Sequence, residues 1–138
     1  QKRDANTIKL INKGGYILSE AANGKPQVIL IATGSEVGLA MNAQKSLGEE
    51  GIYARVVSMP CTNVFDRQEL SYKENVLPNG VKRVAVEAGV TDFWRKYVGL
   101  DGAVVGIDTF GESAPADVLF KHFGFTVEIM LKTVKSIL

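Results

Sequence analysis

The stretch PQVILIATGSEVGLAMNAQKSLGEEG, residues Pro26–Gly51, decides the fold of this chain. Its segment Val28–Ala32 is continuously apolar, which is typical of a strand that is covered on both faces. A turn of small residues follows, and Ser35 is placed to cap a helix whose apolar residues recur at helical spacing until Gly51. The sequence therefore predicts a buried strand, a tight turn and an amphipathic helix, in that order.

Strands and helices continue to alternate outside this stretch. The predicted strands are Tyr16–Glu20, Val28–Ala32, Ala54–Met59, Arg83–Glu87 and Ala103–Asp108. The predicted helices are Asp4–Lys13, the segment from Ser35 to Gly51, a stretch near Asp66–Val76, a short helix between Thr91 and Gly99, and two pieces of Ser113–Leu138 that separate at Gly124. The connection at Asn23-Gly24 is too short for a crossover helix, so the first two strands should be antiparallel if they pair directly.

This alternation is typical of helices packed on both faces of a parallel sheet. We therefore expect an α/β fold, a three-layer α/β/α sandwich whose mostly parallel sheet has about five strands and one antiparallel strand. With 138 residues the chain is long enough for one domain with a substantial core and too short for two ordinary domains.

The composition excludes several classes of partner. Sixteen basic residues against fifteen acidic ones give a net charge of +1, which argues against nucleic acid or an anionic membrane. The single cysteine, Cys61, excludes an internal disulfide and favours a reducing compartment, so we expect a cytoplasmic protein. No apolar run is long enough to span a membrane. Because the chain begins at Gln1 rather than at methionine, we expect it to be part of a longer protein.

The turn at Gly34-Ser35 is a candidate anion or effector site, because phosphates bind where a strand passes into the N-terminus of a helix. The three-glycine dinucleotide fingerprint and the Walker sequence are both missing. Glu36 also places a carboxylate in the first helical turn, where it complements the helix dipole. We therefore favour a purely structural turn and keep Gly34 and Ser35 as an alternative site.

Five acidic residues should lie at the carboxyl edge of the sheet, where open α/β folds bind ligands. They are Glu36, Glu87, Asp92, Asp108 and Glu112. Such a cluster could serve acid–base chemistry or hold a hard cation. Nothing in the spacing singles out a pair, and acids at helix starts have a structural explanation. We predict no catalytic pair and no metal site.

Two further residue types could carry chemistry. Cys61 would be a nucleophile only with His122 as its base, since the chain has one histidine. We favour a partly buried packing role for Cys61, and a helix-end or surface position for His122 over metal ligation.

The aromatic residues Phe93, Trp94 and Tyr97 cluster on one short predicted helix. Aromatic side chains at such spacing usually belong to the core, which is the interpretation we favour. The alternative is that part of the cluster faces a partner protein, because Trp and Tyr are common interface anchors.

Five segments resemble a known family and occur in its order: ILIATGSEV (29–37), ARVVSMPCTNVFDRQ (54–68), VLPNGVKRVAVEAG (76–89), YVGLDGAVVGIDTFGESAP (97–115) and LFKHFGFT (119–126). Together they resemble the C-terminal domain of bacterial transketolase, and TFGESAP followed by FGFT is the most specific part. The resemblance runs from about Gly14 to the end. It implies a domain of residues 14–138, with a linker or short helix of residues 1–13 leading into it.

The resemblance implies a dimeric enzyme that uses thiamine diphosphate and a divalent cation, Mg²⁺ or Ca²⁺. Such an enzyme transfers a two-carbon ketol unit from a ketose phosphate to an aldose phosphate in the pentose phosphate pathway. The family's metal-binding and substrate-binding motifs have no counterpart in this chain. The expected role is therefore structural: the domain packs on the preceding domains and supports the homodimer, with no catalytic, cofactor-binding or metal-binding residue of its own.

Three alternatives remain open. The chain could be a regulatory module that binds a small molecule at Gly34-Ser35 or in the Asp108–Ser113 loop. It could be the matching domain of another thiamine-diphosphate enzyme, such as a ketoacid dehydrogenase β subunit or deoxyxylulose-phosphate synthase, although the TFGESAP…FGFT run disfavours this. A flavodoxin-like electron carrier would require bound flavin.

Overall fold

The computed structural model of the chain describes residues 5–34, 36–87, 94–106 and 127–138, with the backbone alone at residues 87, 95 and 106. Its strands are β1 (Tyr16–Ser19), β2 (Val28–Ala32), β3 (Ala54–Ser58), β4 (Lys82–Glu87) and β5 (Ala103–Gly106). Its helices are α1 (Ala5–Ile11), α2 (Glu36–Glu49), α3 (Thr62–Asp66), α4 (Leu70–Val76), α5 (Arg95–Val98) and α6 (Val127–Ile137). All five predicted strands are therefore present.

The strands form one sheet in the order β1-β3-β2-β4-β5. β1 runs antiparallel to β3, whereas β2 pairs in parallel with β3 and β4, and β4 pairs in parallel with β5. The predicted mixed sheet with one antiparallel strand is confirmed. The first two strands do not pair directly, because β3 lies between them.

Helices cover both faces of the sheet, as the three-layer prediction requires. On one face α2 and α6 pack over alternate residues of the strands, including Leu30, Val56 and Val84. On the other face, residues from α3, α4 and α5 pack over Ile29, Ile31 and neighbouring side chains. Every residue of β2 and β3 is buried. The continuous apolar run of β2 is therefore explained by burial on both faces of the sheet, as the sequence predicts.

Between β3 and β4 the structure has two short helices instead of the single predicted one. The sequence predicts a helical stretch near Asp66–Val76, whereas α3 ends at Asp66 and α4 begins at Leu70. The N–H groups of Arg67 and Gln68 bond to carbonyls three residues earlier, the tighter spacing found at helix ends. The break allows each helix to bury its own apolar residue against the sheet.

Several predicted features fall outside the described residues. They are the cap at Thr91, the strand end at Asp108, the first helical piece of Ser113–Leu138 and its break at Gly124. In the described part, α5 is followed by Gly99 at a φ of 76°, and α6 begins at Val127. Of the described helices, none combines the length and hydropathy needed to cross a membrane.

The joint between α1 and β1 is packed against the beginning of α3. Gly14 has a φ of +83°, and a Cβ on it would lie 2.3 Å from the carbonyl oxygen of Cys61. The Cys61 N–H donates to the Gly14 carbonyl at 3.0 Å. A Cβ on Gly15 would lie 2.4 Å from Sδ of Met59. Gly14 is therefore required here, because its backbone approaches the backbone of Cys61 too closely for any side chain, whereas a side chain on Gly15 would have to displace the side chain of Met59.

Candidate functional site

The predicted turn at Gly34 lies where the strand order reverses, between the carboxyl ends of β2 and β4, which is where open α/β sheets bind ligands. Gly34 is exposed with a φ of +58°. Glu36 is only 4% exposed, and its Oε2 would lie 3.9 Å from a Cβ on Gly34. This carboxylate complements the start of α2 and would repel a bound anion. Ser35 lies outside the described residues, so the Gly34-Ser35 site stays a prediction.

The carboxylates predicted at this edge are described only in part. Glu36 is buried at the start of α2, and Glu87 ends β4, where the structure gives its backbone alone. Asp92, Asp108 and Glu112 lie outside the described residues. Across residues 5–34, 36–87, 94–106 and 127–138, no group of three or more His, Cys, Asp or Glu side chains could hold a metal ion.

The prediction of a partly buried packing cysteine is wrong, because Cys61 is exposed. Its backbone N–H donates to Gly14, and its carbonyl accepts a hydrogen bond from the N–H of Phe65 at 3.1 Å. The residue begins α3 without a side-chain cap. The backbone of Cys61 therefore makes the structural contacts and leaves the thiol at the surface. His122, its only possible base, lies outside the described residues.

The core interpretation of the aromatic cluster is confirmed for its two described members. Trp94 and Tyr97 are 3% and 4% exposed, with ring centroids 5.5 Å apart. The Tyr97 hydroxyl donates to the Asp66 carboxylate at 3.1 Å. Burial, and then the Asp66 carboxylate, raise the pKa of Tyr97 above its ordinary value. Phe93 lies outside the described residues.

A groove of about 580 Å³, which the sequence did not indicate, opens between α4 and α5. It contains three cations, Lys73, Arg83 and Lys96. Each already has a partner: Lys73 Nζ donates to the Asp66 carbonyl at 3.2 Å, and Lys96 Nζ donates to Asp66 Oδ2 at 2.7 Å. The Arg83 guanidinium donates to three backbone carbonyls, and burial lowers its pKa. These partners offset part of the attraction of the groove for an anion, but an ammonium group has three N–H donors and one hydrogen bond does not saturate it.

A second unpredicted feature is an ion pair inside the sheet. Arg55, which lies between apolar residues in strand β3, is 8% exposed and bonds to the Glu20 carboxylate. Its Nη1 donates to the carbonyls of Asn75 and Val76 at 2.9 and 3.2 Å. The sequence signal was a lone charge in an apolar run, which needs a partner when buried. The guanidinium therefore ties three separate segments together.

Residues 14–126 match the family model described as "Transketolase-like TK C-terminal domain". The chain is 57% identical, over its whole length, to "Transketolase 1" of Vibrio vulnificus, of which it covers 21%. It thus spans about a fifth of the length of the curated relatives that it matches.

Solved structures agree in fold. A structure described as transketolase from Leishmania mexicana superposes with a TM-score of 0.87 and 42% sequence identity, covering 99% of this chain and 20% of that one. Another, described as "Split gene transketolase, inactive beta4 tetramer", has a TM-score of 0.66 and 26% identity, covering 91% of this chain and 42% of that one.

Proposed function

Because this chain belongs to the transketolase C-terminal domain family, we propose that it supports the active site of a transketolase without contributing reacting groups. We propose residues 14–138 as the domain and residues 1–13 as the segment leading into it. The start of the family match at residue 14 supports that boundary.

The proposed activity of the whole enzyme is transfer of a two-carbon ketol unit from a ketose phosphate to an aldose phosphate, in the pentose phosphate pathway. Thiamine diphosphate supplies the carbon nucleophile for such transfers, and a divalent cation binds its diphosphate. The described residues do not fit the metal, because they include no group of His, Cys, Asp or Glu side chains that could hold it. We propose, from the family resemblance, that the cofactor and metal bind in the part of the longer protein that precedes this chain.

One observation carries the structural role: the buried polar side chains of the described residues are used within the fold. The groove cations bind Asp66 or backbone carbonyls, and Arg55 binds Glu20. Among the described residues, no buried side-chain nitrogen or oxygen lacks a hydrogen-bond partner. Active sites often keep buried polar groups free for substrate, and none of the buried side chains in the described part of the chain is left free.

A homodimer in the cytoplasm completes the proposal. The related split-gene structure is described as a tetramer, which supports association of such domains. The single cysteine of the chain supports a reducing compartment.

The test compares the full-length protein with the 138-residue chain. The full-length protein, with thiamine diphosphate and Mg²⁺, should transfer ketol units between sugar phosphates. The 138-residue chain, once circular dichroism shows that it is folded, should be inactive and give no heat when titrated with the same cofactor and metal. An inactive full-length protein would contradict the activity, and an active or cofactor-binding short chain would contradict the structural role.

The anion or effector site at Gly34 and Ser35 is a second proposal, supported by the position of Gly34 at the reversal of strand order. The nearby Glu36 carboxylate weakens it. Titration of inorganic phosphate into the full-length protein, with and without Glu36→Gln, tests it. Saturable binding that tightens in the variant would support a site beside the carboxylate, and no binding to either protein would exclude one.

A further inference from the structure

The groove between α4 and α5 has the size and the apolar surface of a small-molecule site. Its volume of about 580 Å³ lies within the range of about 300–1,000 Å³ that is usual for ligand pockets. Its floor consists of side chains that also belong to the core, Phe65, Leu77 and Tyr97. Leu70, the first residue of α4, lines the groove as well and is 66% exposed. A ligand with an apolar body would therefore bury apolar surface here.

Two of the three groove cations have no carboxylate partner among the described residues. The Arg83 guanidinium donates to the backbone carbonyls of Leu77, Pro78 and Tyr97, and Lys73 donates to a backbone carbonyl as well. None of the ion pairs between described residues includes either cation. Because a carbonyl carries no formal charge, the positive charge of these two side chains is not neutralised.

The ammonium groups of Lys73 and Lys96 meet at one residue. Lys73 Nζ donates to the Asp66 carbonyl at 3.2 Å, and Lys96 Nζ donates to Asp66 Oδ2 at 2.7 Å. An ammonium has three N–H donors, so each keeps at least one donor for a ligand. The Lys96 side chain is 64% exposed and can turn toward the groove at little cost. An anionic group can therefore accept hydrogen bonds here while the bonds to Asp66 stay in place.

The acidic residues of the groove limit the charge of its ligand. Glu74 follows Lys73 in α4, lines the same groove and is exposed. With Asp66, the groove holds two carboxylates against three cations, which gives a net charge of +1. A group with a single negative charge matches this balance, whereas a doubly charged phosphate would be repelled by Glu74.

We propose that this groove binds a small organic monoanion, with its anionic group at Lys73 and Lys96 and its apolar body against Leu70 and the groove floor. A carboxylate on an aromatic or aliphatic body has this chemistry. Sugar phosphates do not have it, because their body is polar and their phosphate is doubly charged. The inference concerns binding alone, so it goes beyond the proposed function and does not depend on it.

A charge reversal between neighbouring residues tests the site. The probe is anilinonaphthalene sulfonate, an aromatic monoanion whose fluorescence rises when it leaves water, titrated into the full-length protein. Lys73→Gln should weaken binding on the order of tenfold, because a charge-assisted hydrogen bond is lost. Glu74→Gln should tighten binding roughly threefold, because an exposed repulsive charge is removed. Opposite changes at adjacent positions of α4 would place the probe in this groove.

Two controls separate the site from general effects of charge and unfolding. Lys45→Gln removes the same charge beside a smaller groove of about 320 Å³ and should leave the affinity unchanged. Phenylnaphthylamine is an uncharged probe with similar rings, and it should bind more weakly and respond to neither Lys73→Gln nor Glu74→Gln. Because partial unfolding exposes apolar surface to both probes, a change seen with the sulfonate alone reports on charge.

The apolar part of the proposal has its own test. Leu70→Ser should weaken the binding of both probes, since it removes the most exposed apolar side chain of the groove. Inorganic phosphate at the same concentration should not displace the sulfonate. Displacement by phosphate would reveal a bare anion site and overturn the proposed ligand class.

Three results would overturn the site itself: no saturable binding to the wild-type full-length protein, the same affinity in Lys73→Gln and Glu74→Gln, or an equal loss in Lys45→Gln. The measurement needs no enzymatic activity. An inactive full-length protein whose probe affinity responds to the two substitutions would therefore contradict the proposed function alone.

Discussion

The guanidinium of Arg55 donates two parallel hydrogen bonds to the carboxylate of Glu20, from Nε to Oε1 at 2.9 Å and from Nη2 to Oε2 at 2.8 Å. The Arg55 side chain is 9% exposed and the Glu20 side chain 42%. Two-point geometry of this kind makes a strong charge-assisted pair. It fastens the segment after β1 to the amino-terminal part of β3.

Glu20→Gln should lower the free energy of unfolding by about 1–3 kcal/mol, because it leaves a nearly buried guanidinium without its counter-charge. Urea unfolding of the 138-residue chain measures the change. The control is Lys82→Gln, which breaks a 3.9 Å pair with the 86%-exposed side chain of Asp101 and should cost under about 1 kcal/mol. Equal losses of unfolding free energy in the two variants would show that the Arg55–Glu20 pair stabilises the fold no more than an exposed pair does.

The same pair predicts a pH dependence. Hydrogen bonds from Arg55 chiefly hold the pKa of Glu20 below its ordinary value, with the Ala21 N–H assisting and partial burial opposing. A carboxyl with a lowered folded-state pKa contributes its full stability above the unfolded-state pKa, and loses it as pH falls through the folded-state pKa.

The difference in unfolding free energy between wild type and Glu20→Gln should therefore be constant from about pH 8 to pH 6 and shrink below about pH 4. Urea unfolding across this range measures it. A difference that grows on acidification would contradict the assigned ion pair.

The sequence predicted the positions of the strands along the chain better than it predicted which strands pair with each other in the sheet. The apolar run of β2 and the glycine after α2 are local signals, since burial on both faces and helix termination are encoded in adjacent residues. The position of β1 is not local: Tyr16 pairs with Ser58 of β3, which depends on the whole sheet being assembled. Strand direction could therefore be predicted, but the pairing partner could not.

Gly14→Ala should be severely destabilising, by about 3 kcal/mol or more, since its Cβ would collide with backbone atoms at a positive φ. Gly38→Ala is the control: Gly38 lies inside α2, and a Cβ there meets nothing within 4 Å. That change should stabilise the chain by about 0.5–1 kcal/mol, the helix-propensity difference. The thermal unfolding midpoints of the two variants should shift in opposite directions from that of the wild type. A Gly14→Ala variant with an unchanged midpoint would show that the backbone around Gly14 can relax.

Tyr97→Phe should lower the unfolding free energy by about 0.5–1.5 kcal/mol, because it removes the hydrogen bond to Asp66 and keeps the packing on Trp94. The raised pKa of Tyr97 gives the sign of the pH effect: this stabilisation is complete below the ordinary tyrosine pKa and is lost as pH rises through the folded-state value. Urea unfolding at neutral and alkaline pH measures both effects. Equal unfolding free energies of the wild type and Tyr97→Phe at neutral pH would contradict a stabilising hydrogen bond to Asp66.

The site was harder to predict than the fold. Glu20 and Arg55 are 35 positions apart, and no local pattern joins a charge in an apolar strand to its distant partner. The exposure of Cys61 depends on how its backbone packs against Gly14, which is a tertiary contact that the local sequence does not encode. Gly34 could be placed correctly at the edge of the sheet because a strand followed by a helix fixes that edge in any parallel fold.

Cys61→Ser should leave the proposed ketol transfer by the full-length protein unchanged and alter stability by under about 0.5 kcal/mol, because the thiol is exposed and the backbone of Cys61 makes the structural contacts. A thiol reagent should modify Cys61 without prior unfolding, since modification of an exposed thiol requires no opening of the fold.

Phe65→Ala is the contrasting variant for Cys61→Ser. The Phe65 side chain is 3% exposed in the core, and its loss should lower the unfolding free energy by about 3–5 kcal/mol. Peptide mapping of the modified full-length protein, together with activity before and after modification, makes the measurement. A Cys61→Ser variant that loses activity while keeping its unfolding free energy would give the thiol a part in the reaction and contradict the purely structural role of this domain.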